Sequence, residues 1–121
     1  MTPIGIPAAA VAYELAVIAL FLELPETPLR PGVADQLQAR RWFEREIPLP
    51  LVETALLLGS LRRLQRPAQA PPLPPIRSLA YFHPVVEELR AAAPVSDSYR
   101  EFLRRQLQPY LTASAGSQTG R

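Results

Sequence analysis

The sequence predicts an all-α fold, a compact bundle of about five helices with a proline-rich linker between the third and the fourth. Apolar residues recur every three or four positions, and most prolines fall between such segments rather than inside them. No segment alternates apolar and polar residues with the period of a strand. At 121 residues the chain is near the common size of one domain, so we expect a single hydrophobic core.

The first predicted helix runs from about Ala8 to Leu24 and is apolar almost all round. Two stripes follow its length, one of Val11, Leu15, Ile18 and Leu22 and another of Tyr13, Val17, Leu20 and Phe21. Such a helix is either buried in the core or shared with a partner protein, and we take Val17, Leu20 and Phe21 as candidate partner-binding residues. Its uninterrupted apolar run is well short of the roughly 20 residues that span a bilayer, so we expect no membrane partner.

The second helix is predicted from about Pro31 to Arg45 and the third from near Pro50 to Arg66. The first turns of the third helix are densely apolar, which suits a central element, whereas its last turns carry arginines. The linker from Pro67 to Pro75 is too rich in proline for a helix or a central strand. We interpret it as an extended polyproline II connector.

The fourth helix is predicted to begin at Ser78 or at Pro84 and to end near Ala92. The fifth begins at Ser98, which has the spacing of a capping box with Glu101, and ends at Pro109. We therefore expect one helical domain over residues 1–111. The small, polar residues 112–121 are expected to form a disordered tail.

The residue inventory argues against catalysis. The chain has no cysteine and one histidine, His83, which precedes a proline, and it has no glycine-rich turn. We therefore predict no enzyme activity, no metal, no cofactor and no small-molecule substrate. The lack of cysteine suits a reducing compartment, so we expect a cytoplasmic location.

Charge is distributed unevenly along the chain. The net charge is +2 and every basic residue is an arginine, yet the first 29 residues carry three glutamates and no arginine. Between Glu53 and Glu87 there is no acidic residue, while four arginines fall in that interval: Arg62, Arg63, Arg66 and Arg77. These side chains can face water, pair with acids distant in sequence, complement the dipole at a helix end, or contact an anionic partner.

Nucleic acid is the anionic partner that this pattern favours. Arginines on the fifth helix provide a second basic row, and two separate rows suit a surface that follows a phosphate backbone. The candidate nucleic-acid-binding residues are Arg62, Arg63, Arg66, Arg77, Arg100 and Arg104.

Two further motifs have competing interpretations. Pro72, Pro75 and Arg77 match the P-x-x-P-x-R form that SH3-type grooves bind, although a stiff spacer between helices explains the same prolines. Trp42 and Phe43 could stack on bases, but the helical spacing of Trp42 from Leu37 favours a place in the core.

The stretches WFEREIPLPLVETAL and IRSLAYFHPVVEEL together resemble the DnaD-like domain of bacterial and phage replication-initiation proteins. Trp42 matches the end of that family's first helix, and a longer segment from Ser78 to Leu89 loosely matches its closing element. The helix between them is matched by Leu51, Val52, Ala55 and Leu56. The resemblance covers roughly residues 30–90, and the linker departs from it by being longer and richer in proline. Short proteins of bacterial mobile elements are similar at the step RSLAYF.

The resemblance implies a helical, DNA-associated accessory protein. Our first hypothesis is therefore a non-enzymatic accessory factor of replication or mobile-element maintenance that binds DNA, or an RNA–protein complex, through arginine–phosphate contacts. The alternative hypothesis is a structural or adaptor subunit that docks into a larger complex through its apolar first helix. A protein partner or a homo-oligomer is compatible with either hypothesis.

Overall fold

The computed structural model describes residues 8–92 and 94–119, with side chains up to residue 111. These residues form five α-helices and one 3-10 helix, with no strand among them, which confirms the predicted all-α class. The helices are α1 (Ala8–Leu22), α2 (Val33–Glu44), α3 (Leu49–Leu64), α4 (His83–Ala91) and α5 (Asp97–Thr119), and the 3-10 helix Leu79–Phe82 leads directly into α4. Among them, no helix is both long enough and apolar enough to cross a membrane.

Helix α3 lies at the centre of the bundle, where it packs against α1, α4, α5 and the 3-10 helix. Its buried apolar residues include Val52, Ala55 and Leu56, in agreement with the densely apolar turns of the sequence. Trp42 on α2 is fully buried, which confirms its predicted place in the core. Its Nε1 donates a hydrogen bond to His83 Nδ1 at 3.1 Å, so the indole meets a polar partner inside the core.

Asp35 ties the start of α2 to the start of the 3-10 helix. The Gly32 backbone N–H donates to Asp35 Oδ2 at 2.8 Å, and the Leu79 N–H donates to Oδ1 at 2.8 Å. Both are orphan donors at or just before a helix start, and one buried carboxylate satisfies them together. Asp35 therefore joins two segments that are 44 residues apart.

Two sequence expectations for α5 are wrong. The helix begins at Asp97, and its first turn is capped by Ser96, whose Oγ accepts a hydrogen bond from the Tyr99 N–H at 3.1 Å, so Ser98 is not the cap. Pro109 lies inside the helix rather than at its end. Pro109 and Arg105 are both exposed, so water can satisfy the one carbonyl that loses its partner. The division into a domain of residues 1–111 and a tail of residues 112–121 stays a prediction.

The linker contains no helix from Pro67 to Pro75, as predicted, and it is fastened to the rest of the protein at its end. After a turn closed by a hydrogen bond from the Ala70 N–H to the Pro67 carbonyl, residues 71–77 have no regular secondary structure. The Ile76 N–H then donates to the Glu26 carbonyl at 3.1 Å, and the Ile76 side chain is buried. The linker is therefore anchored to the loop between α1 and α2.

Candidate functional site

The structure separates the six candidate arginines into three places. Three of them surround one surface cavity of about 220 Å³, which we call the arginine pocket. Its lining consists of Gly59, Arg62, Arg63, Arg66, Leu73, Tyr81 and Val85. Arg77 lies on the exposed end of the linker and does not line the pocket. Arg100 and Arg104 lie on α5, where both face Glu53 of α3.

Arg62 forms a two-point ion pair with Glu88 on α4. Its Nη1 and Nη2 lie 2.8 Å from Oε1 and 2.6 Å from Oε2 of Glu88. This hydrogen-bonded pair holds the pKa of the Glu88 carboxyl below its usual value. Because both side chains are about half exposed, the pair adds little stability, and a stronger anion can compete for the guanidinium.

Arg63 acts as an internal clamp. Its side chain is only 5% exposed, and its Nε donates to Glu26 Oε1 at 2.8 Å. Its Nη2 donates to the Pro74 carbonyl, and its guanidinium carbon lies 5.6 Å from the centre of the Tyr81 ring. We therefore correct the assignment of Arg63 from phosphate contact to a residue that holds the linker against the α1–α2 loop, because its donors are used inside the protein.

Arg66 and Arg77 have no ion-pair partner among the residues that the structure describes. Arg66 is half-buried and also lines a second cavity of about 270 Å³ beside the linker. Of the arginines around the arginine pocket, Arg66 is thus the one whose charge is not already balanced by a carboxylate.

The second basic row is neutralised by acids. Arg100 Nε lies 3.6 Å from Glu53 Oε1, and its Nη2 lies 2.6 Å from Asp97 Oδ1. Arg104 pairs with both Glu53 and Glu101. We therefore correct the prediction that Arg100 and Arg104 form a free basic face: Asp97 and Glu101 lie three positions before them on α5, whereas Glu53 reaches them from α3 only in the folded protein.

Two of the three candidate partner-binding residues on α1 belong to the core. Val17 and Phe21 are fully buried, so their assignment as an accessible contact surface is wrong. Leu20 is half-buried and lines an apolar groove of about 200 Å³ between α1, α3 and α5. The other apolar residues of this groove are Leu24, Leu56, Leu57, Leu107 and Leu111.

The opposite side of α1 is apolar and partly exposed in the part of the chain that the structure describes. At 100° per residue, an arc of about 180° contains only alanine, valine, isoleucine and leucine. We call this surface the α1 outer face; its residues are Ala8, Ala9, Val11, Ala12, Leu15, Ala16, Ile18, Ala19 and Leu22. Val11 is 40% exposed and Leu15 66% exposed, whereas Ile18 and Leu22 are partly buried against the core.

The predicted contact stripe of α1 is therefore the wrong one, because the stripe that contains Val11 and Leu15 is the more exposed of the two. Glu14 is the one charged residue of α1, and it lies on the core side. Its Oε2 pairs with Arg40 Nε at 2.5 Å. Because a carboxylate usually faces solvent, Glu14 suggests that the core side of α1 is the exposed side, which is wrong.

No group of three or more metal-ligating side chains occurs within the described part of the chain. No family model, no curated protein and no solved structure matches the sequence. The fold and these sites therefore define a class and not a family: a small all-α protein with a partly exposed apolar helix face and an arginine-lined pocket.

Proposed function

We propose that this protein is a non-enzymatic adaptor that binds another polypeptide through the α1 outer face. The observation that carries the proposal is that this half of a helix presents no charged side chain to solvent, while the opposite half already holds the core. Contiguous exposed apolar patches are uncommon on soluble monomers and mark contact sites. Leu15 is the best-exposed large side chain of the α1 outer face and lies at its middle.

The composition of the α1 outer face suits contact with a helix. Its alanines let a second backbone approach closely, and Val11, Leu15, Ile18 and Leu22 repeat with spacings of four, three and four positions. This alternation of three and four positions is the pattern of a helix that packs along its length against another helix. Burying such side chains contributes roughly 25 cal/mol for each Å² of apolar surface removed from water.

Site-specific photo-cross-linking in the cells of the natural host tests this proposal. A photoreactive side chain at Leu15 is expected to form a covalent adduct with a polypeptide, whereas the same group at Gln106, an exposed position of α5, is not. Circular dichroism establishes that both proteins are folded. A folded protein whose Leu15 position yields no more adduct than the Gln106 position would contradict the adaptor function.

Nucleic-acid binding is the second candidate function, and the arginine pocket favours it. Arg62 and Arg66 border the same cavity as Tyr81, an exposed aromatic ring on which a base can stack. In this case the protein would act among the replication or mobile-element accessory factors that the DnaD-like resemblance implies.

A salt titration of nucleic-acid binding tests the second function. Arg66→Ala should weaken binding to all sequences alike, because phosphates carry no base identity. It should also make log K depend less steeply on log salt, reducing the magnitude of the negative slope by about 0.7 to 0.9. Arg105→Ala, which removes an exposed arginine outside the pocket, should change neither. Absence of binding near 50 mM salt, roughly the low end of the range in which phosphate contacts are strong, would exclude this function.

A further inference from the structure

We infer that the polypeptide on the α1 outer face is a second copy of this chain, packed antiparallel to the first about a two-fold axis at Leu15. This inference rests on the proposed docking role of the α1 outer face and adds the identity of the partner. A two-fold contact uses the same patch on both molecules, so the patch must be complementary to itself.

The sequence of α1 has this self-complementarity. When two α1 helices run antiparallel and cross at Leu15, residues equally far before and after Leu15 face each other. Ala8 then faces Leu22, Val11 faces Ala19, and Ala12 faces Ile18 of the second copy, while Leu15 meets its own equivalent. Every large side chain away from the axis is thus opposite an alanine, as close packing requires.

The parallel arrangement lacks this fit. It would set Val11 against Val11 and Ile18 against Ile18, while Ala12 and Ala19 would each face another alanine. Contacts between two large side chains would hold the helices apart and leave gaps at the alanines, which lose their dispersion contacts. The alternation of large and small residues therefore specifies the antiparallel direction.

Charge supports the same direction. Glu23 lies just beyond the end of α1, is exposed, and has no ion-pair partner in the described residues. The first turn of α1 contains no acidic residue to complement its positive dipole end. Antiparallel packing brings Glu23 of each copy to the start of α1 in the other. Because the α1 outer face itself is uncharged, two copies meet without repulsion between like charges.

Oxidative cross-linking tests the two-fold position directly, because the natural sequence has no cysteine. Leu15→Cys should form a disulfide-linked dimer in air, since the two sulfur atoms would lie at the axis. Gln106→Cys at the same protein concentration is the control and should remain a monomer. In parallel, light scattering of the unmodified protein over a dilution series should give the mass of a dimer, and Leu15→Asp should raise its dissociation constant at least tenfold.

A charge pair tests the register. Val11→Glu alone and Ala19→Arg alone should each weaken the dimer, because each places a charge against an apolar residue. The double variant Val11→Glu/Ala19→Arg should recover dimerisation, because each glutamate then faces one arginine of the other copy, which gives two opposite-charge pairs per dimer. A double variant weaker than both single variants would overturn the antiparallel register.

The experiments distinguish failure of the dimer proposal from failure of the adaptor function. If the unmodified protein is a monomer over the dilution series and Leu15→Cys forms no dimer, the second copy is overturned. A photo-cross-linked adduct from position 15 with a different polypeptide would then leave the adaptor function standing. Absence of any adduct at that position overturns both.

Discussion

Gly59 sets the distance between α3 and the 3-10 helix. A Cβ placed on Gly59 would lie 2.7 Å from Cδ1 of Phe82, which is itself fully buried. Gly59→Ala is therefore expected to destabilise the protein by about 1 to 3 kcal/mol, because a packed ring must move to admit one methyl group. The change in the free energy of unfolding is measured by urea denaturation.

Gly32→Ala is the matched control. A Cβ at Gly32 meets nothing closer than Asp35 Oδ2 at 3.8 Å, and its φ of −107° suits any residue. The expected loss is about 0.5 kcal/mol, from the poorer helix start that alanine makes. Equal losses for the two variants would show that the contact with Phe82 is not the cause.

Tyr13 gives the stability of the protein a dependence on alkaline pH. Its hydroxyl donates to the Ile47 carbonyl at 2.7 Å, and burial raises the pKa of Tyr13 from 10.0 to about 12. The folded state thus keeps its proton at a pH where the unfolded state has lost it. The stabilisation is complete below pH 10.0 and is lost as the pH rises towards about 12.

Tyr13→Phe should remove this part of the pH dependence. We expect the urea midpoint of the natural protein to fall more steeply between pH 9 and pH 12 than that of the variant, an interval that brackets the roughly 10 to 12 span of the two pKa values. The other tyrosines remain in both proteins and cancel in the comparison. Two parallel curves would contradict the assignment.

At the scale of the element, α1 has one buried face in the core and one partly exposed apolar face, which we propose binds a partner. Val17→Asp should unfold the protein, because it buries an unpaired carboxylate among core side chains at a cost of about 3 kcal/mol or more. Leu15→Asp should stay folded, since Leu15 points to solvent. Helical content by circular dichroism distinguishes them. A folded Val17→Asp variant would show that the packing of α1 differs from the one described.

The middle of the linker should tolerate substitution, whereas its end is held against the rest of the protein. Pro72 and Pro75 are exposed, so replacing both by alanine should change the free energy of unfolding by less than about 1 kcal/mol. Arg63→Ala should cost more, because it removes the contacts with Glu26 and Pro74 that hold the linker. Loss of a partner by the folded proline variant would favour the SH3-type ligand interpretation of Pro72, Pro75 and Arg77.

At the scale of the whole molecule, ion pairs between elements balance the uneven charge of the chain. Glu14 of the acidic first segment meets Arg40 of α2, and Glu26 meets Arg63 of α3. The arginine-rich interval between Glu53 and Glu87 is compensated in part, since Arg62 reaches Glu88, whereas Arg66 and Arg77 have no ion-pair partner among the described residues. Charge asymmetry along the sequence is therefore a weak predictor of a basic surface once the chain has folded.

The sequence by itself determined the all-α class, the central place of α3, the burial of Trp42 and the absence of helix in the proline-rich linker. These features follow from local causes: the spacing of apolar residues, and the lack of an N–H group in proline. Helix ends were less predictable, because the capping-box spacing of Ser98 with Glu101 pointed away from Ser96, which is the actual cap, and Pro109 removes only one hydrogen bond.

Only the tertiary structure decided which apolar stripe of α1 faces the core and which arginines keep an unbalanced charge. Both stripes are apolar at the same spacing, and the one charged residue of α1, Glu14, is buried on the core side, where a carboxylate is not expected. The choice comes from the shapes of α2 and α3, against which Val17 and Phe21 pack. Whether an arginine is paired likewise depends on carboxylates far away in sequence, such as Glu88, which lies 26 positions from Arg62. Pairing at that separation is set by how the helices pack, because side chains remote in sequence meet only after the chain has folded.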